Sequence, residues 1–218
     1  MKEVLSEAER KKVLVFCSAP DDGKVISKHY PSGGWSKDFR FLCIGASDAH
    51  GSVFRATQDD GVCYILPGVH VDINNQGPRS FDVDGEPGEL SGSITYETGS
   101  SVATALAAGL AAMILNCVKA TLITIDLHGR ASYGRLSYSV SEDAPAKLAQ
   151  DSKAMREAFA KLGMVTGEKF IQIWDTMNQV STELEKLQPG SAQLSEVERQ
   201  SIFLKFIEFG VRLAGVVS

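Results

Sequence analysis

The sequence is poor in the residues on which metal binding and nucleophilic catalysis usually draw, with four cysteines and four histidines among 218 residues. Cys17, Cys43, Cys63 and Cys117 are dispersed, each inside an apolar stretch, and no two form a C-x-x-C pair. Neither a zinc site nor a disulfide framework is indicated, and the four read as buried thiols of a reducing compartment. Positive charge is also short, at 22 Lys and Arg against 27 Asp and Glu, for a formal charge of -5. A field of that sign repels nucleic acid, and no basic cluster offsets it. No D-x-D-x-D-G loop argues for calcium, and neither G-x-x-x-x-G-K-[ST] nor G-x-G-x-x-G is present, so no metal or cofactor is expected.

Long apolar runs are scarce as well. The opening stretch "MKEVLSEAERKK" is charged and has no apolar core of the kind a signal peptide carries. Residues 102 to 118 form the longest mostly apolar run, interrupted by Thr104 and Asn116 and shorter than the roughly 20 residues of a bilayer span. A buried helix and a cytoplasmic chain without a membrane partner are the expectations.

What is present is 44% apolar and 22% charged, the profile of a globular protein with a sizeable core. Val4, Leu5 and Ala8 share one face of a short opening helix. Three continuous apolar runs follow, "KVLVFCSA" (12 to 19), "RFLCIGAS" (40 to 47) and "GVCYILPGVHV" (61 to 71), the last with a Pro-Gly turn inside it. Strands apolar on both faces belong to a parallel sheet covered by helices, so the fold class is α/β with a partly parallel sheet. Residues 72 to 98 have loop composition, a helix is predicted from about Ser101 to Cys117, and "TLITIDL" (121 to 127) reads as a further strand. Near residue 145 the pattern becomes helical. Leu148, Met155, Phe159 and Leu162 recur at helical spacing, Gly163 is a stop, and Ser195 with Glu198 forms a capping box before "SIFLKFIEF". Residues 1 to 145 and a mostly helical tail, 146 to 218, are the two expected parts.

The stretch "ETGSSVATALAAG" (97 to 109) sets two adjacent serines at the start of the charge-free helix. A serine there can cap the helix by accepting from an orphan backbone N–H. Alternatively Ser101 is a nucleophile, placed where free N–H groups and the helix dipole stabilise a developing oxyanion.

"GSSVATALAAG" (99 to 109) resembles the nucleophile signature of the subtilisin-like serine proteases, G-T-S-M-A-x-P-x-V-A-G, with Ser101 on the nucleophile. Upstream, in the family's order, "IGASDAHG" (44 to 51) is similar to V-G-A-x-D-x-x-G and "LPGVHV" (66 to 71) to A-P-G-V-x-I. "VFCSAPDDG" (15 to 23) stands where the family has a strand ending in A-G-N-E-G, whose asparagine donates to the oxyanion. The resemblance covers residues 12 to about 118. It implies acyl transfer through Ser101 on a peptide or protein substrate, with Asp21 at the oxyanion position. Ser100 replaces the motif threonine and Ala105 its proline. Asp21 replaces asparagine, and an ionised carboxylate accepts hydrogen bonds but donates none. Either Asp21 is held protonated by its surroundings or the oxyanion site is weak; alternatively, Asp21 and Asp22 simply make a solvated turn.

The resemblance also implies an aspartate in D-[ST]-G and a histidine in H-G-T, both before the serine. The chain contains no D-[ST]-G triplet. His50 is followed by Gly-Ser but by a polar mixture after it, His128 comes after the serine, and His29 and His70 lack the following glycine. All four read as surface or loop histidines. The expectation is the C-terminal part of a subtilisin-like catalytic domain, its missing N-terminal half supplying Asp and His, and this chain alone nearly inert. The competing expectation is a pseudoprotease or interaction module that keeps the fold as a binding surface. A chain of this kind should also self-associate through exposed sheet edges and apolar surface.

Overall fold

The computed structural model describes residues 2–23, 32, 41–54, 57, 61–72, 96–134, 139–163, 169–186 and 195–215. Its centre is a parallel sheet of β1 (Val15–Ser18), β2 (Phe41–Ser47) and β3 (Tyr64–Pro67), in the order β1-β2-β3. The register pairs Cys17 with Cys43 and Gly45 with Ile65. Every residue of β2 is buried, because strand alternation sends both of its faces into apolar layers. Leu42, Ile44 and Ala46 enter one core with Tyr64 and Leu66. Phe41 and Cys43 enter a second core with Cys17, Val62, Ile65 and Phe170. The expected α/β class with a small parallel sheet is what the chain adopts.

The third apolar run divides where its Pro-Gly turn stands. β3 ends at Pro67, and β4 (Val71–Asp72) pairs antiparallel with β5 (Tyr96–Glu97) in a separate two-stranded sheet. Between β4 and β5, the loop read over 72 to 98 lies almost wholly outside the described residues.

Among the described residues six α-helices accompany the sheet: α1 (Lys2–Arg10), α2 (Ser100–His128), α3 (Ala144–Gln150), α4 (Ser152–Ala160), α5 (Ile173–Glu185) and α6 (Glu196–Ala214). Leu5 of α1 and Trp174 of α5 cover the second core, while α2, α3, α4 and α6 build the first. Leu148, Met155, Phe159 and Leu162, the helical stripe, are all buried there, beside Ile207 and Leu213 of α6. The change of pattern near residue 145 is thus a change of element within a shared core. Lys169 to Ile171 even extends the sheet, as Ile65 N–H donates to Lys169 O at 2.9 Å and Ile171 N–H to Ile65 O at 3.1 Å. The capping box at Ser195 and Glu198 forms as its spacing predicts.

The strand expected over 121 to 127 is not one. α2 continues unbroken for 29 residues to His128. Its buried face runs Ala103, Ala107, Leu110, Ala111, Ile114, Val118, Thr121, Leu122 and Ile125, a helical spacing that carries straight through the β-branched segment. Thr121 and Thr124 bond back to Cys117 O and Ala120 O at 2.9 and 2.8 Å, satisfying their hydroxyls within the helix. Burial of this stripe against sheet and α6 outweighs a strand propensity worth only ~1 kcal/mol. The helix is also long and apolar enough, by length and composition alone, to cross a membrane, a test that a core helix passes equally.

Candidate active site at the start of helix α2

Because β1, β2 and β3 run parallel, their carboxyl ends lie on one side of the sheet, and the chain gathers its loops there. β1 leads through Pro20 to Asp21. β2 leads into a tight turn in which Asp48 Oδ1 accepts from His50 N–H and Ser52 N–H, both at 2.9 Å. These bonds, the one from Ser52 foremost, hold the Asp48 carboxyl below its ordinary range. β3 leads to Gly68, whose N–H donates to Ser47 O at 2.9 Å and whose carbonyl accepts from Gly99 N–H at 2.7 Å. The first turn of α2 is therefore tied to the ends of β2 and β3, a position that parallel α/β folds use for ligand and catalytic groups.

Neither serine caps the helix. The N-cap is Gly99, which has no side chain to offer, and Ser100 and Ser101 are the first two helical residues. The acceptor comes from the loop after β1. Asp21 Oδ2 accepts from Ser100 N–H at 2.6 Å, and Asp21 Oδ1 accepts from the Ser100 hydroxyl at 2.6 Å and from the Thr57 hydroxyl at 2.8 Å. Thr57 and Ser100 hydroxyls are themselves 3.1 Å apart. Ser100 is wholly buried and Thr57 nearly so. An acceptor at a helix N-terminus satisfies a backbone N–H that has no partner within the helix, so this arrangement stabilises the first turn. Sequence reasoning found Asp21 but not Thr57, which sits in the polar segment "RATQDDG" with no local signal.

Ser101 differs sharply from its neighbour. It is exposed, and neither its N–H nor its hydroxyl is hydrogen-bonded to another described residue. The two serines thus divide the duties that the sequence left open between them, one buried and anchored, the other free at the surface. Gly99 makes this possible. At φ 146° and ψ 164° it holds a backbone conformation that side-chain-bearing residues rarely adopt, and a Cβ there would stand 3.1 Å from Asp21 Oδ2 and 3.5 Å from Ser101 Oγ.

No described histidine bonds to Ser101. His50 is exposed in the turn after β2, and His70 is exposed at φ 54° with its N–H on Thr98 Oγ1 at 2.9 Å. His128 is at the far end of α2, its ring 5.8 Å from that of Phe203. His29 lies outside the described residues. Among the described residues no cluster of three His, Cys, Asp or Glu could hold a metal ion. A cavity of about 790 Å³ forms a groove between α5 and α6, floored by Val180, Ile202, Phe206 and Phe209, away from the serines.

Chemically, the arrangement offers an accessible hydroxyl beside an unused backbone N–H at a helix start, with a carboxylate committed as an acceptor nearby. Compared with known proteins, the sequence matches no family model and no curated protein.

Proposed function

We propose that the chain is the serine-bearing part of a subtilisin-like endopeptidase, acting by acyl transfer from a peptide or protein substrate to Ser101. What carries this reading is Ser101, exposed and without a hydrogen-bond partner among the described residues, at the first turn of α2 where the carboxyl ends of three parallel strands converge. In this reading the Ser101 hydroxyl attacks the scissile carbonyl, and the carbonyl oxygen, as it gains charge, turns to the Ser101 N–H and the positive end of the helix. A histidine must take the hydroxyl proton and an aspartate must orient it. Neither role falls to a described residue, and in this reading an upstream segment supplies both. Asp21 is then a cap that sets the serine's position, because an acceptor of three hydrogen bonds has no donor to give an oxyanion.

The test is the coding sequence that precedes Met1. It should read, in frame, D-[ST]-G after an apolar strand and then H-G-[TS] at the start of an apolar helix. A stop codon or an unrelated sequence there contradicts the reading.

A second reading, a pseudoprotease that keeps the fold for binding, is favoured by the Asp21 geometry itself: a negative charge close to Ser101 opposes a developing oxyanion. It predicts that a protein carrying both upstream motifs folds and still leaves Ser101 unreactive.

A further inference from the structure

Cys17 of β1 and Cys43 of β2 are direct register partners in neighbouring parallel strands, and both side chains enter the second core. Adjacent strands lie about 4.8 Å apart. That spacing falls within the roughly 4.4–6.8 Å of Cα separation that a disulfide spans. Both thiols are free and buried, at 6% and 1% exposure. A third thiol, Cys63, is close by, half-buried at the edge of the same core, with its Sγ 3.7 Å from Phe41 O.

We propose that Cys17 and Cys43 form an oxidisable pair that closes to a disulfide between β1 and β2 in the presence of a peroxide, fixing the strand that carries the Asp21 loop. This stands apart from the proteolytic reading and does not depend on it.

The partners have unequal roles. The neighbouring Cys43 holds the Cys17 thiol below its ordinary range against the opposing effect of burial, whereas Cys17 and burial push Cys43 up. Cys17 is therefore the attacking sulfur and Cys43 the resolving one. The Cys17 thiolate attacks one oxygen of hydrogen peroxide, the O–O bond breaks, and the departing hydroxide takes up a proton to leave as water, giving a sulfenic acid on Cys17. Cys43 sulfur then attacks Cys17 sulfur, the S–O bond breaks, and the hydroxyl leaves with the Cys43 proton as a second water. Two thiols lose two electrons in total, and one peroxide gains them.

The consequence is mechanical. β1 has only four residues and lies at the outside of the described parallel sheet, with Cys17 four positions before Asp21. A covalent link to the fully buried β2 removes freedom from the unfolded chain over the whole segment between the two cysteines, so the oxidised form melts higher.

The experiment uses the full chain, reduced, freed of thiol and treated while folded with hydrogen peroxide, then digested without reductant and mapped by mass spectrometry. The expected product is a Cys17–Cys43 linked peptide lighter by two hydrogens, reversed by dithiothreitol, with Cys117 unlinked and the thermal midpoint raised by several degrees. Cys63→Ser should form the link as the parent does, whereas Cys17→Ser and Cys43→Ser should not. Because the mapping on the parent and on Cys63→Ser stands by itself, misfolding of the other two variants leaves the test intact. Three results would overturn the proposal: a link that involves Cys63, oxidation only to sulfinic or sulfonic acid, or a Cys17–Cys43 link that forms only after denaturation in urea.

Discussion

The hydroxyl of Ser100 and the carboxylate of Asp21, 79 residues apart in the chain, meet at 2.6 Å, and the N–H of the same serine reaches the other carboxylate oxygen at 2.6 Å. This double contact seats the first turn of α2 on the loop that follows β1. It also leaves Ser101, the next residue, outside the anchored set.

Asp21→Ala removes the acceptor of a buried hydroxyl and of a helix N–H together. Each group left unpaired costs about 1–3 kcal/mol, so chemical denaturation should show a loss in that range or above it. Asp21→Asn should be milder, because its Oδ1 can still accept from the Ser100 N–H while its Nδ2 donates to the rotatable hydroxyls of Ser100 and Thr57. Unchanged stability of Asp21→Ala would mean that Asp21 does not act as the acceptor described.

Gly210 and Gly109 give opposite expectations on facing and free helix surfaces. A Cβ on Gly210 of α6 would stand 1.9 Å from Thr121 Oγ1 and 2.7 Å from Thr121 Cβ, whereas one on Gly109 of α2 meets nothing within 4 Å. Gly210→Ala should cost about 1–3 kcal/mol by overpacking the α2–α6 contact. Gly109→Ala should stabilise by about 0.5–1 kcal/mol through helix propensity. Thermal melts of the two variants beside the parent decide both.

These contacts bear on what could be read without coordinates. Local patterns were legible: β2 as a continuous apolar run, the stripe of Leu148, Met155, Phe159 and Leu162, and the capping box at Ser195, because each is determined by residues a few positions apart. The strand reading of residues 121 to 127 failed because Thr121, Ile123, Thr124 and Ile125 are β-branched, while their helical state is set by α6 and the sheet. Ser101 was legible as a candidate at a helix start. The division between a buried Ser100 and an exposed Ser101 was not, since it depends on Asp21 and Thr57, which reach Ser100 only through the fold.

Acid should loosen the start of α6. Glu198 Oε2 accepts from the Ser195 hydroxyl and N–H, both at 2.8 Å, and these bonds, the hydroxyl's first, lower its carboxyl in the folded chain. A depressed folded value means that the contribution is complete above the ordinary Glu value of about 4.3 and is lost as pH falls through the lower folded one. The group is fully exposed, so the expected effect is local: faster amide exchange at residues 195 to 198 under acid, without a matching change across the sheet. Ser195→Ala, which keeps the backbone N–H but loses the hydroxyl, should shrink that pH step. An identical step in the variant would contradict the assignment.

Leu106, Ile123 and Leu127 of α2 are 43%, 59% and 79% exposed, and the helix carries a charge-free surface over its first half. Apolar area of this kind should make the isolated chain associate with itself. Sedimentation should show species heavier than 23.5 kDa that shrink when Ile123 and Leu127 are replaced by Glu. A monomer at all concentrations would contradict the expectation.

The most direct test of the central claim is labelling of the protein by a fluorophosphonate probe, followed by peptide mapping. Translated together with an upstream segment bearing the two missing motifs, the folded protein should carry the label on Ser101. The label should disappear in Ser101→Ala and persist in Ser100→Ala, while residues 1 to 218 alone take up little. A folded, motif-complete protein that leaves Ser101 unlabelled would contradict the assignment of this serine as a nucleophile.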